Sequence, residues 1–262
     1  MKNFKRNRIN EHYERLHDSY LKYYGNTFQA HRTGNITELL AYLNSHIHFN
    51  KGDVVLDAGC GVCGPAIYFA TKNEISIRAI TNSEKQCVTA AGLIEENALT
   101  ARIQVQLGDY HHLEKYYKPA CFDKVYFLES LGHSADKKQA LFSAMGVLKE
   151  DGILFIKDYF ATEISGSFRR KRIMKTAVKR MNKEYAYCLE DLKKIHTIAD
   201  DLGLKILHSG PAVVELDNTD SVGAFEKANN IVLFDDESFM PEIVKSCIVI
   251  LKMQGKNNPV NE

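Results

Sequence analysis

Apolar positions along this chain recur with two periods, and the two alternate. Short runs rich in β-branched and aromatic residues, at 53–58, 75–80, 102–107, 122–128, 152–158, 204–208 and 246–253, predict seven strands. Between them, Leu141, Ala144, Met145 and Leu148 fall at i, i+3, i+4 and i+7, and Leu189, Leu192, Ile195, Ala199 and Leu202 form a second such stripe. That is the spacing of helices that bury one face. Strands and helices in turn predict a parallel sheet covered by helices. Ser134 stands where the first of these helices needs an N-cap, and Ser83 with Gln86 makes a Ser-x-x-Gln capping box that opens a helix through Asn97.

Three segments depart from the alternation. Residues 1–50 are helical and rich in tyrosine (Tyr13, Tyr20, Tyr23, Tyr24), and are expected to form a lid ahead of a core at 51–262. Residues 159–188 interrupt the core with a basic helical cap. An acidic insertion at about 215–242, with one helical pattern at 222–228, separates the last two strands, so a hairpin-like final pair is expected. The tail from Gly255 is polar and predicts disorder.

Composition narrows the function classes. The 262 residues carry 34 Lys and Arg against 33 Asp and Glu, a formal net charge of +1, so no global field draws the chain to nucleic acid or to an anionic membrane. No run approaches the roughly 18 apolar residues of a membrane span, and residues 1–16 lack a signal peptide's apolar region. Cys60, Cys63, Cys87, Cys121, Cys188 and Cys247 are scattered, which fits a reducing compartment. A cytoplasmic protein is expected, and a homodimer is compatible with this composition.

The candidate chemistry gathers at Val54-Val-Leu-Asp-Ala-Gly-Cys-Gly-Val-Cys-Gly-Pro-Ala66, a strand running into a glycine turn and then a helix with Pro65 in its first turn. Gly59 and Gly61 would let the backbone approach a ligand, and Gly64 would let the helix start pack on the strand. The same glycines match the dinucleotide fingerprint G-x-G-x-x-G. Asp57 decides between the readings: an acid two residues before the first glycine repels a pyrophosphate but suits a cationic ligand. The next strand ends in Ala79-Ile-Thr-Asn-Ser83, without the acid that holds a nicotinamide cofactor's ribose. Cys60-x-x-Cys63 has no second pair, and a glycine loop is a poor platform for tetrahedral metal ligation, so no metal is expected.

This stretch resembles motif I of the class I S-adenosylmethionine-dependent methyltransferases. Gly108-Asp-Tyr110, Phe122-Asp-Lys-Val-Tyr126 and Val147-Leu-Lys-Glu-Asp-Gly152 follow in that family's order. The resemblance covers about residues 51–158. It implies a Rossmann-like α/β fold with a seven-stranded, mostly parallel sheet and an antiparallel last strand. It also implies S-adenosylmethionine as cofactor, held by Asp57, Gly59, Cys60, Gly61, Thr81, Asn82, Gln86, Gly108, Asp109 and Tyr110. Each has a plainer alternative: Asp57 as a turn cap, Asp109 as an Asx-turn residue, Ser83 with Gln86 as a helix cap alone.

For the acceptor, the key stretch is Phe127-Leu-Glu-Ser-Leu-Gly-His-Ser134. The Asn-Pro-Pro-aromatic motif of enzymes that methylate nucleic-acid bases is missing, which speaks against a nucleic-acid partner. The segment is similar to that of the sterol and prenyl diphosphate C-methyltransferases, and Thr81-Asn-Ser-x-x-Gln86 resembles their Thr-Leu-Ser-x-x-Gln run. Tyr23-Tyr24 resembles their paired tyrosines, although the tryptophans of the sterol enzymes are absent. Alkylating an alkene leaves a carbocation, which needs aromatic faces and a base. Glu129, His133 and Tyr24 are the catalytic candidates, with Tyr23 toward the substrate.

The run 168–183 holds eight basic residues, of which Arg172, Lys175, Lys179 and Lys183 share helical spacing. It reads either as a cap that captures an anionic acceptor or as a solvated face. Two rivals remain: N- or O-methylation of a polar metabolite with His133 or Glu129 as base, and a non-catalytic nucleotide- or RNA-binding module.

Overall fold

The computed structural model describes residues 2–29, 35–213, 219–232 and 243–254. Its centre is a seven-stranded sheet of β1 (Val54–Ala58), β2 (Ser76–Thr81), β3 (Ile103–Leu107), β4 (Phe122–Leu128), β5 (Leu148–Ala161), β6 (Leu204–Pro211) and β7 (Val244–Met253). The order is β3-β2-β1-β4-β5-β7-β6. The first five strands are parallel, whereas β7 runs antiparallel to both β5 and β6. This is the Rossmann-like sheet with an antiparallel last strand.

Strand alternation sends successive side chains to opposite layers. Leu56, Ile80, Phe127, Ile156 and Val249 enter one core with α5 (Lys137–Val147) and α7 (Leu192–Asp201). Val55, Ile77, Tyr126, Phe155 and Ile248 enter the other, under α2 (Ile36–Ile47), α3 (Gly64–Lys72) and α4 (Glu84–Glu96). A third cluster joins Leu16, Tyr20 and Tyr24 of α1 (Lys2–Tyr24) to Met174 and Met181 of α6 (Phe168–Glu184) and to Phe225 of α8 (Thr219–Ala228).

Several local expectations shift. The N-cap of α5 is Asp136, whose side chain accepts from the Gln139 amide. Ser134 accepts from Asp136 N instead, two residues too early to cap the helix. Leu148 belongs to β5, and Leu189 precedes α7, which Asp191 caps. The fifth strand reaches Ala161 because β7 pairs with it along the whole of Ile153–Ala161. The basic cap therefore reduces mainly to α6. Of the acidic insertion, the described part contains α8; the tail from Gly255 lies outside the described residues.

Candidate active site

A cleft opens at the carboxyl ends of β1, β2 and β4, where open α/β sheets bind ligands. Asp57, Gly59, Cys60, Gly61, Thr81, Asn82, Gln86, Gly108, Asp109 and Tyr110 all line it, as do Glu129 and His133. Tyr13, Asn10 and Ile9 of α1 and the segment Asn26, Phe28 and Gln29 complete the wall. Tyr23, Tyr24, Arg172, Lys175 and Lys179 are not among the lining residues. Tyr24 lies behind the wall, its ring packed on Tyr20 and Phe225. Arg172, Lys175 and Lys179 sit on the solvent face of α6.

The glycine loop is shaped by its neighbours. Gly59 has φ +93°, and a Cβ there would stand 2.5 Å from the Ser130 Cβ, so the loop gains its closeness to β4 from the missing side chain. Gly64 answers to a different constraint from strand packing: its Cβ would fall 1.9 Å from the carbonyl oxygen of Asn26, in the segment after α1. Cys63 holds φ +66°, a left-handed conformation that glycine adopts at no steric cost. Cys60 and Cys63 are both buried and free, and burial pushes the Cys60 thiol well up.

Asp57 is buried and accepts from the Tyr126 hydroxyl at 3.0 Å. Burial raises its carboxyl to about 7, against the lowering effect of that hydrogen bond. A carboxylate so poised is completed by a cation. Thr81 donates to Gln86 Oε1 at 2.7 Å, while the Ser83 hydroxyl accepts from the Gln86 amide. Gln86 therefore caps α4 through its backbone and turns its side chain to Thr81. Asp109 Oδ1 accepts from the His111 amide and from His111 Nδ1 at 2.6 Å, and His111 Nε2 meets the Ser134 hydroxyl at 2.7 Å. Asp109 is thus an Asx-turn residue that also faces the cleft.

Helix α1 roofs this half of the cleft. Asn10 donates to the Asn82 carbonyl at 2.8 Å, Ser83 donates to Glu14 at 2.7 Å, and His17 meets Thr89 at 2.9 Å.

At the other end, Glu129 occupies a left-handed conformation, φ +55°, and accepts from Lys157 of β5. Both are buried. Lys157 also donates to Gln29 Oε1 at 3.2 Å and lies 5.3 Å from the centre of the Tyr159 ring. His133, buried on the turn after β4, meets the Tyr13 hydroxyl at 2.8 Å, and burial depresses its imidazole to about 4. Lys157 and Gln29 have no role assigned from the sequence. Lys157 had a readable signal, a lone lysine within Ile153-Leu-Phe-Ile-Lys-Asp-Tyr-Phe160, otherwise a buried strand. Gln29 had none, and Tyr13 was legible only as one of several tyrosines in the N-terminal segment. Among the described residues, no cluster of three or more His, Cys, Asp or Glu side chains could hold a metal ion, and no helix is long and apolar enough to cross a membrane.

Residues 49–209, more than half the chain, match the Methyltransf_31 family, a methyltransferase domain. The chain belongs to this methyltransferase family. S-adenosylmethionine is the family's cofactor, and the buried Asp57 and the glycine-lined turn fit a cationic ligand brought close to the backbone. The chain is 33% identical over 146 residues to 27-O-demethylrifamycin SV methyltransferase of Amycolatopsis mediterranei (strain S699), over 56% of this chain and 52% of that protein. It is 28% identical over 122 residues to a sterol 24-C-methyltransferase of Eremothecium gossypii, over 47% of this chain and 32% of that one. The chain spans about half or less of the length of these relatives. A solved geranyl diphosphate methyltransferase in complex with S-adenosylmethionine shares the fold, with a TM-score of 0.63 and 11% identity over 83% of this chain and 85% of that one.

Proposed function

We propose that the protein transfers a methyl group from S-adenosylmethionine to a small acceptor with an apolar body. The observation that carries this reading is the convergence of Asp57, Asp109, Glu129 and His133 on one cleft roofed by α1. When bound, S-adenosylmethionine supplies an electrophilic methyl group on a cationic sulfur. In this reading Asp57 holds the ammonium of the methionine half, the backbone of Gly59–Gly61 follows its carbon chain, and Asp109 accepts from the adenine amino group. Helix α1 covers the cofactor and excludes water, so that alignment of the acceptor supplies most of the acceleration.

The chemistry favoured for the acceptor is C-methylation of an alkene, as in a prenyl diphosphate. Tyr13, Phe28 and Tyr110 line the cleft and offer the faces that stabilise a carbocation without trapping it. Glu129 then takes the proton that the cation sheds. Glu129 is ion-paired with Lys157, and a carbocation's neighbouring proton is so acidic that a carboxylate in an ion pair suffices to take it.

The Tyr13–His133 pair supports a second reading, N- or O-methylation, in which the neutral imidazole draws a proton from an amine or hydroxyl by way of Tyr13. Incubation with isotopically labelled S-adenosylmethionine and prenyl diphosphates, amines and phenols separates the two. Transfer to alkene carbon supports the first reading, transfer to nitrogen or oxygen the second, and binding without transfer overturns both.

A further inference from the structure

Helix α6 concentrates positive charge that the chain as a whole lacks. Arg169, Arg170, Lys171, Arg172, Lys175, Lys179, Arg180 and Lys183 stand in its 17 residues against one acid, Glu184, at the last position. The whole chain nets +1. Met174, Ala177 and Met181 bury the inner stripe of α6 in the cluster that also holds Leu16, Tyr20 and Tyr24 of α1. Helical spacing puts Phe168, Arg172, Lys175 and Lys179 on the opposite stripe, and all four are exposed. Arg172, Lys175 and Lys179 pair with no carboxylate among the described residues. Phe168 is 84% exposed on this stripe and Ile173 40% exposed on the flank, where helical spacing sets it by Arg169 and Arg180, so each large apolar side chain stands in water near cations.

Cations beside exposed apolar side chains match one partner chemistry: a layer of anionic phosphates over an apolar interior. We propose that α6 docks the protein peripherally on an anionic phospholipid surface. A nucleic-acid backbone would satisfy the cations, but it would give Ile173 nothing and Phe168 only an isolated base, without the row of aromatic platforms that single strands use. Because the inner stripe of α6 shares a core cluster with α1, docking through the outer stripe sets the roof of the cleft about one helix diameter from the bilayer, which on the proposed function is a reservoir for an acceptor with an apolar body.

The test is sedimentation of the full chain with vesicles of phosphatidylcholine alone and of phosphatidylcholine mixed with phosphatidylglycerol, at about 0.1 M and about 0.5 M salt. Binding to the anionic vesicles alone, and at the lower salt, is expected. Each basic side chain at such a surface multiplies affinity about fivefold, so Arg172→Gln, Lys175→Gln and Lys179→Gln together weaken it on the order of a hundredfold. Phe168→Ser weakens it severalfold at the lower salt. Unchanged thermal melting and S-adenosylhomocysteine binding establish that the variants are folded; if the triple variant is not, Phe168→Ser and the salt dependence still decide. No vesicle binding, equal binding to neutral and anionic vesicles, undiminished binding by the folded triple variant, or capture by polyuridine that the vesicles do not compete away would each overturn the proposal.

Discussion

The hydroxyl of Tyr13 donates to Nε2 of His133 at 2.8 Å, joining α1 to the turn after β4 across 120 residues of chain. The direction is fixed from the far side of the ring, because Nδ1 lies 3.3 Å from the Ala186 carbonyl, which can only accept. Tyr13→Phe leaves Nε2 buried without a donor. Denaturant unfolding is expected to show a loss of about 1–3 kcal/mol, and labelled-methyl assays a fall in kcat on the order of tenfold or more for N or O acceptors. Since burial holds His133 near 4, below the usual 6.5, the unfolded chain takes up a proton before the folded one. The stability tied to this histidine is therefore present above pH 6.5 and lost as pH falls toward 4.

Asp57 has the opposite sign. Its folded value near 7 exceeds the ordinary 3.8, so the folded apoprotein binds the extra proton. The contribution is most favourable below pH 3.8 and is lost as pH rises through 7. Asp57→Asn should stabilise the apoprotein at pH 8, by up to about 4 kcal/mol for a shift of this size, and abolish S-adenosylmethionine binding. Calorimetry on the unaltered protein should show affinity rising about tenfold per pH unit below 7, with a proton released on binding. A pH-independent affinity would remove Asp57 from the cofactor site.

Gly64→Ala tests the seat of the roof. The added methyl would meet a backbone carbonyl, which cannot swing aside as a side chain could. The segment after α1 is expected to lift, with S-adenosylhomocysteine affinity falling at least tenfold while the sheet stays folded by circular dichroism. Unchanged affinity would show that the roof does not close the cofactor site.

Lys157→Met removes the buried cation paired with Glu129, and unfolding should show a cost of about 3–5 kcal/mol. Glu129→Gln in that background is expected to restore much of the stability but not the turnover. Turnover near that of the unaltered protein in Glu129→Gln alone would exclude Glu129 as the base.

The seven strands and the glycine turn were legible because their signals are local: an apolar run ends, a glycine permits a left-handed turn, and a helix begins. Asp57 was legible for the same reason. Gly64 was misread because its constraint is the Asn26 carbonyl, 38 positions away in the chain and invisible to any local pattern. The pairing of Glu129 with Lys157 depends on β4 and β5 lying side by side, with Leu128 opposite Lys157. The eight basic residues of α6 were conspicuous, but only the buried Met174, Ala177 and Met181 establish which way that helix faces.

The sheet order also governs how this chain is made. β7 lies between β5 and β6, so β6 has no neighbour until residues 244–253 have been synthesised. On the ribosome, the five parallel strands can pair as they emerge, carrying every cleft-lining residue of the glycine turn, β2 and β4. β6 then waits as an unpaired edge. A chain halted anywhere between residues 211 and 244 would present both β5 and β6 as open edges, the templates on which nascent proteins aggregate.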